Sequence, residues 1–114
     1  MAVPLYQAKA EFFRTLGHPV RIRVLELLRD GPLPVRDLLA ALDIEASNLS
    51  QQLAVLRRAN LVTATRGGST VVYALATPDV AELLLAARRI LGWVISDQGQ
   101  LLAELGATPG TVRS

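Results

Sequence analysis

Apolar and polar positions along this chain follow a helical period for most of its length and switch to a strand period once. Behind Pro4, the residues Leu5, Ala8, Phe12, Phe13 and Leu16 recur at helical spacing, which predicts a first helix that stops at Gly17. His18-Pro19 opens a second helix through about Arg29, with Ile22, Leu25 and Leu28 on one face and Asp30-Gly31-Pro32 as the stop. Pro34 begins a short third helix, Val35 to Leu42, with Leu38, Leu39 and Leu42 inward. Asp43-Ile44-Glu45-Ala46 forms the turn into a fourth helix over 47–59. At Leu61 the period changes to alternation: Val62, Ala64, Val72 and Ala74 alternate with their neighbours. That predicts a hairpin of Leu61 to Thr65 and Val71 to Leu75, with Arg66-Gly67-Gly68-Ser69 at its tip and the two glycines supplying positive φ. Pro78-Asp79 caps a last long helix carried to about Glu104, and 106–114 reads as a frayed tail. The expected fold is mainly α with a small β-hairpin wing, a winged helix-turn-helix in one domain over 1–105.

The fourth helix is the informative one, because a short helix, a four-residue turn and a longer helix form the arrangement whose second helix enters a DNA major groove. At about 100° per residue, Leu49, Leu53 and Leu56 share one side, while Ser47, Asn48, Gln51 and Arg58 point away. Amides and hydroxyls suit base edges, since Asn and Gln pair two-pronged with adenine and Ser donates or accepts. No acidic residue occurs between Glu45 and Asp79, whereas Arg57, Arg58 and Arg66 do, and an acid-free, arginine-bearing surface meets the needs of a phosphate backbone. Arg57 and Arg58 also suit the negative end of the helix dipole. Arg21, Arg23 and Arg36 read equally well as backbone-flanking or as plain surface charge.

Composition narrows the picture without deciding it. At 114 residues the chain holds one core, and its 51% apolar against 19% charged residues suggests surface covered by self-association. The net charge of +2 is small, so the case for nucleic acid rests on where the charges lie. There is no Cys, hence no disulfide, thiol switch or thiolate metal site. The longest apolar run, Leu83 to Ala87, is far short of the roughly 20 residues that span a bilayer, and a cytoplasmic protein with no membrane partner is expected.

In Leu16-Gly17-His18-Pro19-Val20-Arg21-Ile22-Arg23-Val24-Leu25, in Leu49-Ser50-Gln51-Gln52-Leu53-Ala54-Val55-Leu56-Arg57, and in Leu61-Val62 through Gly68 to Tyr73, the chain resembles the ArsR/SmtB family of bacterial winged-helix repressors, above all cysteine-free actinobacterial members. The resemblance covers roughly residues 10–95. It implies a homodimer, joined through the first and last helices, that binds an inverted-repeat operator on double-stranded DNA. By matching position, Ser47, Asn48, Ser50, Gln51 and Gln52 approach the groove, and Arg66, Gly67, Gly68 and Ser69 the flanking backbone or minor groove; from their place at the helix end, at least one of Arg57 and Arg58 is expected to meet a phosphate. Glu45 stands where the family often has a capping Ser, and the wing is less basic than many.

Many family members release DNA on binding metal, but the ligand inventory here is short. The third helix, Pro34-Val35-Arg36-Asp37-Leu38, lacks Cys, and Ala81 stands where a last-helix site beginning at Asp79 would place His. One His per chain does not supply a zinc site's three or four ligands. Asp79 and Glu82 read as dipole partners, and His18 as a cap or packing residue. No cofactor and no metal are expected. No catalytic constellation or phosphate loop is present, so an enzyme is not expected either. The stripe Val80, Leu84, Ala87, Leu91, Val94, Ile95, with Gly92 and Trp93 beside it, reads as dimer core or as the lining for an apolar small-molecule effector. Beside the DNA-binding reading stands a winged-helix module that docks a protein partner through the polar face.

Overall fold

The computed structural model describes residues 2–94. Helix α1 spans Leu5–Leu16, and its first turn is closed by the Pro4 carbonyl, which accepts from the Gln7 and Ala8 N–H groups. Helix α2 spans Pro19–Leu27 and passes into a 3-10 turn over Leu28–Asp30, so the expected end near Arg29 marks the end of the 3-10 segment. His18 caps α2: its Nδ1 accepts from the Val20 N–H at 3.2 Å, while Pro19 fills a first-turn position where no N–H is needed. Gly31, at φ 142°, ends the turn with a backbone that other residues rarely adopt.

Strand β1 is only Leu33–Pro34, helix α3 follows at Val35–Leu42, and helix α4 runs Ala46–Arg58. Strands β2 (Val62–Gly67) and β3 (Thr70–Leu75) form the hairpin, in register from Val62 opposite Leu75 to Gly67 opposite Thr70. The strands thus reach further toward the tip than the alternation alone suggested. The wing is also not two-stranded. Leu33 and Pro34 pair antiparallel with Tyr73 and Val72, giving a three-stranded sheet in the order β1-β3-β2. Pro34 sits at that sheet's edge, where its missing N–H breaks no ladder.

Only Gly68 has positive φ at the tip (64°), whereas Gly67 stays in the strand. The expectation of two left-handed glycines is corrected: in the two-residue turn Gly68-Ser69, only the first central residue has positive φ, the pattern of a type II′ hairpin. Helix α5 is described over Asp79–Val94. Its start is fixed by Thr77, whose hydroxyl accepts from the Asp79 N–H at 3.3 Å and whose carbonyl accepts from the Val80 N–H at 3.3 Å, rather than by Pro78-Asp79 themselves. The expected extension to Glu104, Ile95 of the apolar stripe and the 106–114 tail lie outside the described residues.

Contacts divide the chain inside α5 into two compact units, Met1–Ala81 and Glu82–Ser114, where the sequence pattern suggests one domain over 1–105. The core of the first unit is leucine-rich: Leu16 of α1, Val24, Leu25 and Leu28, Leu38 of α3, Leu49, Leu53 and Leu56 of α4, Leu61 and Val62, and Val80 and Ala81. Val24 joins the face expected for α2, while Ile22 and, on α3, Leu39 and Leu42 are half-buried. Helix α2 packs against both α3 and α4, so it is the element on which the helix-turn-helix rests. Among the described residues, no helix is long and apolar enough to cross a membrane.

Leu56 is fully buried. Leu56→Ala is expected to lower the unfolding free energy by about 2–5 kcal/mol, seen as a lower urea midpoint at unchanged slope.

Candidate nucleic-acid interface

The turn into α4 is set by Asp43, which takes a left-handed conformation (φ 53°, ψ 51°) as its N–H donates to the Leu39 carbonyl. Glu45 is the cap residue of α4. Its carbonyl accepts from the Leu49 N–H at 3.1 Å, but its carboxylate makes no capping bond. The helix therefore begins one residue earlier than the spacing predicts and carries no acid in its first turn. At its far end, the Leu61 N–H donates to the Leu56 carbonyl and the Asn60 N–H to the Arg57 carbonyl, with Asn60 left-handed at φ 62°. This is a Schellman termination, and it turns the chain directly into β2.

Between these ends the two faces of α4 separate. Leu49, Leu53 and Leu56 are buried, while Ser47, Ser50, Gln51, Arg57 and Arg58 are exposed and Asn48 is half-buried. Arg66, Gly67, Gly68 and Ser69 are exposed on the wing, where the Thr70 hydroxyl donates to the Gly67 carbonyl and closes the tip. The helix and wing meet at a groove of about 420 Å³ lined by Ser50, Ala54, Arg57, Arg58 and Tyr73. Tyr73 was not singled out from the sequence as a site residue. It stands on the central strand β3 and lines the groove together with residues of the C-terminal half of α4.

Gln52 departs from expectation. It is only 8% exposed, too little to approach a groove, and both ends of its amide are engaged. Its Oε1 accepts from Arg21 Nε at 2.8 Å, and its Nε2 donates to Asn48 Oδ1 at 3.0 Å. The reason is its position: at about 100° per residue it falls roughly 60° from Leu49 and about 40° beyond Leu56, on the flank of the arc that Leu49, Leu53 and Leu56 define, where Arg21 of α2 meets it. Arg21, for which the sequence left backbone-flanking and surface readings open, does neither. Its second donor reaches the Thr15 carbonyl at 3.1 Å, so it ties the end of α1 to α2 and α4.

The other arginines that precede α5 fall into two groups. Arg14 pairs with Glu11, Arg23 with Glu26 at 3.3 Å, Arg29 with Asp30 at 3.5 Å and Arg36 with Asp37 at 3.9 Å. Among the described residues, Arg57, Arg58 and Arg66 make no ion pair. These three belong to α4 and the wing. Also among the described residues, no three His, Cys, Asp or Glu side chains cluster as a metal site would require.

The model of the bacterial regulatory protein arsR family matches residues 18–64, from the cap of α2 into the wing. The HTH-type transcriptional regulator Rv0081 of Mycobacterium tuberculosis is 53% identical over 105 residues, 91% of this chain and 92% of that protein. The chain belongs to the ArsR family. The crystal structure of Rv0081 superposes with a TM-score of 0.77 at 54% identity, covering 85% of this chain and 98% of the other. A second family structure, the homodimeric winged helix-turn-helix DNA-binding domain of Mb0332 from Mycobacterium bovis, aligns at 26% identity with a TM-score of 0.73, over 82% of this chain and 87% of that one. As an ArsR-family winged helix-turn-helix protein, the chain is a transcriptional regulator, and its relatives are regulators rather than enzymes. The likeness to actinobacterial members is borne out by these mycobacterial proteins.

Removing the Arg21 guanidinium strands the buried Gln52 oxygen and the Thr15 carbonyl. Arg21→Met is expected to cost about 1–3 kcal/mol of stability in chemical denaturation. Arg36→Met, whose side chain is 72% exposed, should stay within about 0.5 kcal/mol of the parent.

Proposed function

We propose that the protein is a dimeric, sequence-specific repressor that binds an inverted-repeat operator, with α4 in the major groove and the β2-β3 wing on flanking DNA. The observation that carries this reading is electrostatic. The three arginines of α4 and the wing lack acid partners among the described residues, on a stretch with no acidic residue from 46 to 78, while four arginines elsewhere lie against neighbouring carboxylates. Cations left unpaired beside exposed Ser47, Ser50 and Gln51 suit a surface that exchanges counterions for phosphates and offers hydrogen bonds to bases. Asn48 contributes to the same face, and Ser69 at the wing tip is free to meet backbone. The groove lined by Ser50, Arg57, Arg58 and Tyr73 has the chemistry to seat a phosphate between helix and wing.

Self-association is supported by apolar surface that a single chain leaves open. On α1 only Leu16 is buried, while Leu5, Tyr6 and Phe13 are 69%, 72% and 54% exposed. Phe12 and Phe13 stack edge to face with centroids 5.3 Å apart, forming one aromatic ridge. On α5, Ile90, Leu91 and Trp93 are likewise exposed. A second copy covering the first and last helices would bury both sets. The homodimeric state of the Mb0332 domain supports a dimer. Two recognition helices would then address sites roughly 34 Å apart on one face of the duplex.

The test is selection of bound genomic fragments by the purified protein at moderate salt, and it should enrich a single inverted repeat. Gln51→Ala is expected to weaken binding to that repeat by about 1–3 kcal/mol with little change on random DNA. Arg58→Ala should weaken binding to all sequences alike and reduce the salt dependence by about one counterion. Regulation is proposed to be metal-independent, because the chain has no Cys and its single His is committed to the α2 cap. Zn²⁺ or a chelator should leave the operator gel shift unchanged, and release by Zn²⁺ would overturn that part of the reading.

A further inference from the structure

We propose that Asn48 presents its NH₂ to DNA, its oxygen being turned toward the buried Gln52 by a relay that begins at Arg21. This rests on the reading of α4 as the groove-entering helix. A guanidinium has N–H groups and no acceptor, so the atom of Gln52 that faces Arg21 Nε at 2.8 Å has to be oxygen. The other end of the Gln52 amide is then NH₂. It lies 3.0 Å from the Asn48 side chain and donates, so the Asn48 atom it meets is Oδ1. An amide's oxygen and nitrogen ends are alike in shape, but a donor-only residue at the head of the chain fixes every orientation after it. Arg21 is itself anchored by a second bond to the Thr15 carbonyl at 3.1 Å. Gln52 is only 8% exposed, so water is poorly placed to compensate a flipped amide. What Asn48 retains is its NH₂, which has no partner among the described residues.

Asn48 occupies the first turn of α4, the part of a recognition helix that reaches base edges. The two-pronged pairing of Asn with adenine needs the oxygen and the NH₂ side by side at the base edge, whereas Asn48 holds its oxygen toward the buried Gln52 and leads with its donors. Guanine, with N7 and O6 both acceptors, is its best match. Thymine O4 follows, and cytosine, which offers the major groove only a donor, is the worst. Arg21 and Gln52 therefore act as positioning residues for specificity without touching DNA. Gln51, exposed and with no side-chain bond among the described residues, keeps both of its functions.

The inference is tested by selecting from a random DNA pool with the parent protein, N48A and Q52E. N48A identifies the base pair that Asn48 reads as the one whose preference disappears. In Q52E the carboxylate accepts from Arg21 and also from the Asn48 NH₂, which turns the Asn48 oxygen outward. The preference at that pair should then move from guanine to adenine or cytosine by about tenfold. An unchanged base under Q52E, or adenine preferred by the parent, would overturn the proposal while leaving the protein a DNA reader. No enriched sequence from the parent would remove both readings together. A measurement on the parent alone guards against a Q52E variant that fails to fold. In ¹H–¹⁵N spectra of the free protein, the Gln52 side-chain NH₂ should be protected from solvent exchange and that of Asn48 should exchange fast. The reverse order would overturn the relay.

Discussion

A recognition helix has to bury one face while leaving the opposite face free, and in this chain the buried arc of α4 holds four positions, of which only three are apolar. The fourth, Gln52, would leave a buried amide unsatisfied at a cost of about 1–3 kcal/mol if nothing met it. Arg21 meets it from α2, and with the same side chain satisfies the Thr15 carbonyl in the last turn of α1. One charged residue thus joins three helices, and no buried side-chain polar atom among the described residues is left without a partner. The helix-turn-helix is held in this way by a polar contact at the edge of a leucine core, where geometry is specified more tightly than by apolar packing alone.

The charges are distributed by element rather than by abundance. Arginines on α1, α2, the 3-10 turn and α3 lie beside acids three residues away or adjacent in sequence, and such exposed pairs contribute little stability. Their effect is to neutralise those surfaces. On α4 and the wing the partner acids are absent from the sequence itself, so a modest net charge of +2 is concentrated on these two elements. A net-charge argument applied to the whole chain misses this.

The helix boundaries were legible because caps and stops are local: His18-Pro19 and Gly31 act within a few residues of where they stand. Helix α3 and the existence of the hairpin followed from spacing alone, whereas the length of its strands and its two-residue turn did not. Strand β1 was not legible, since two residues have no period and Leu33-Pro34 becomes a strand only through Val72 and Tyr73. The Arg21–Gln52 bond joins positions 31 apart, and no local signal announces it. Gln52 did carry one clue, its place on the helical wheel, next to Leu56 at the flank of the leucine arc. Its residue type suggested a groove contact and its phase a buried one, and phase decided.

The two glycines of the wing tip differ in what they permit over evolutionary time. Gly68 holds a left-handed backbone, so any side chain there is strained whatever room surrounds it. Gly67 has an ordinary strand backbone, and a Cβ added to it would meet nothing within 4 Å. A single codon change to arginine at 67 would therefore place a further cation beside Arg66 without disturbing the hairpin. On the proposed DNA-binding reading, the wing tip is thus an adjustable setting of nonspecific affinity, open to selection independently of α4.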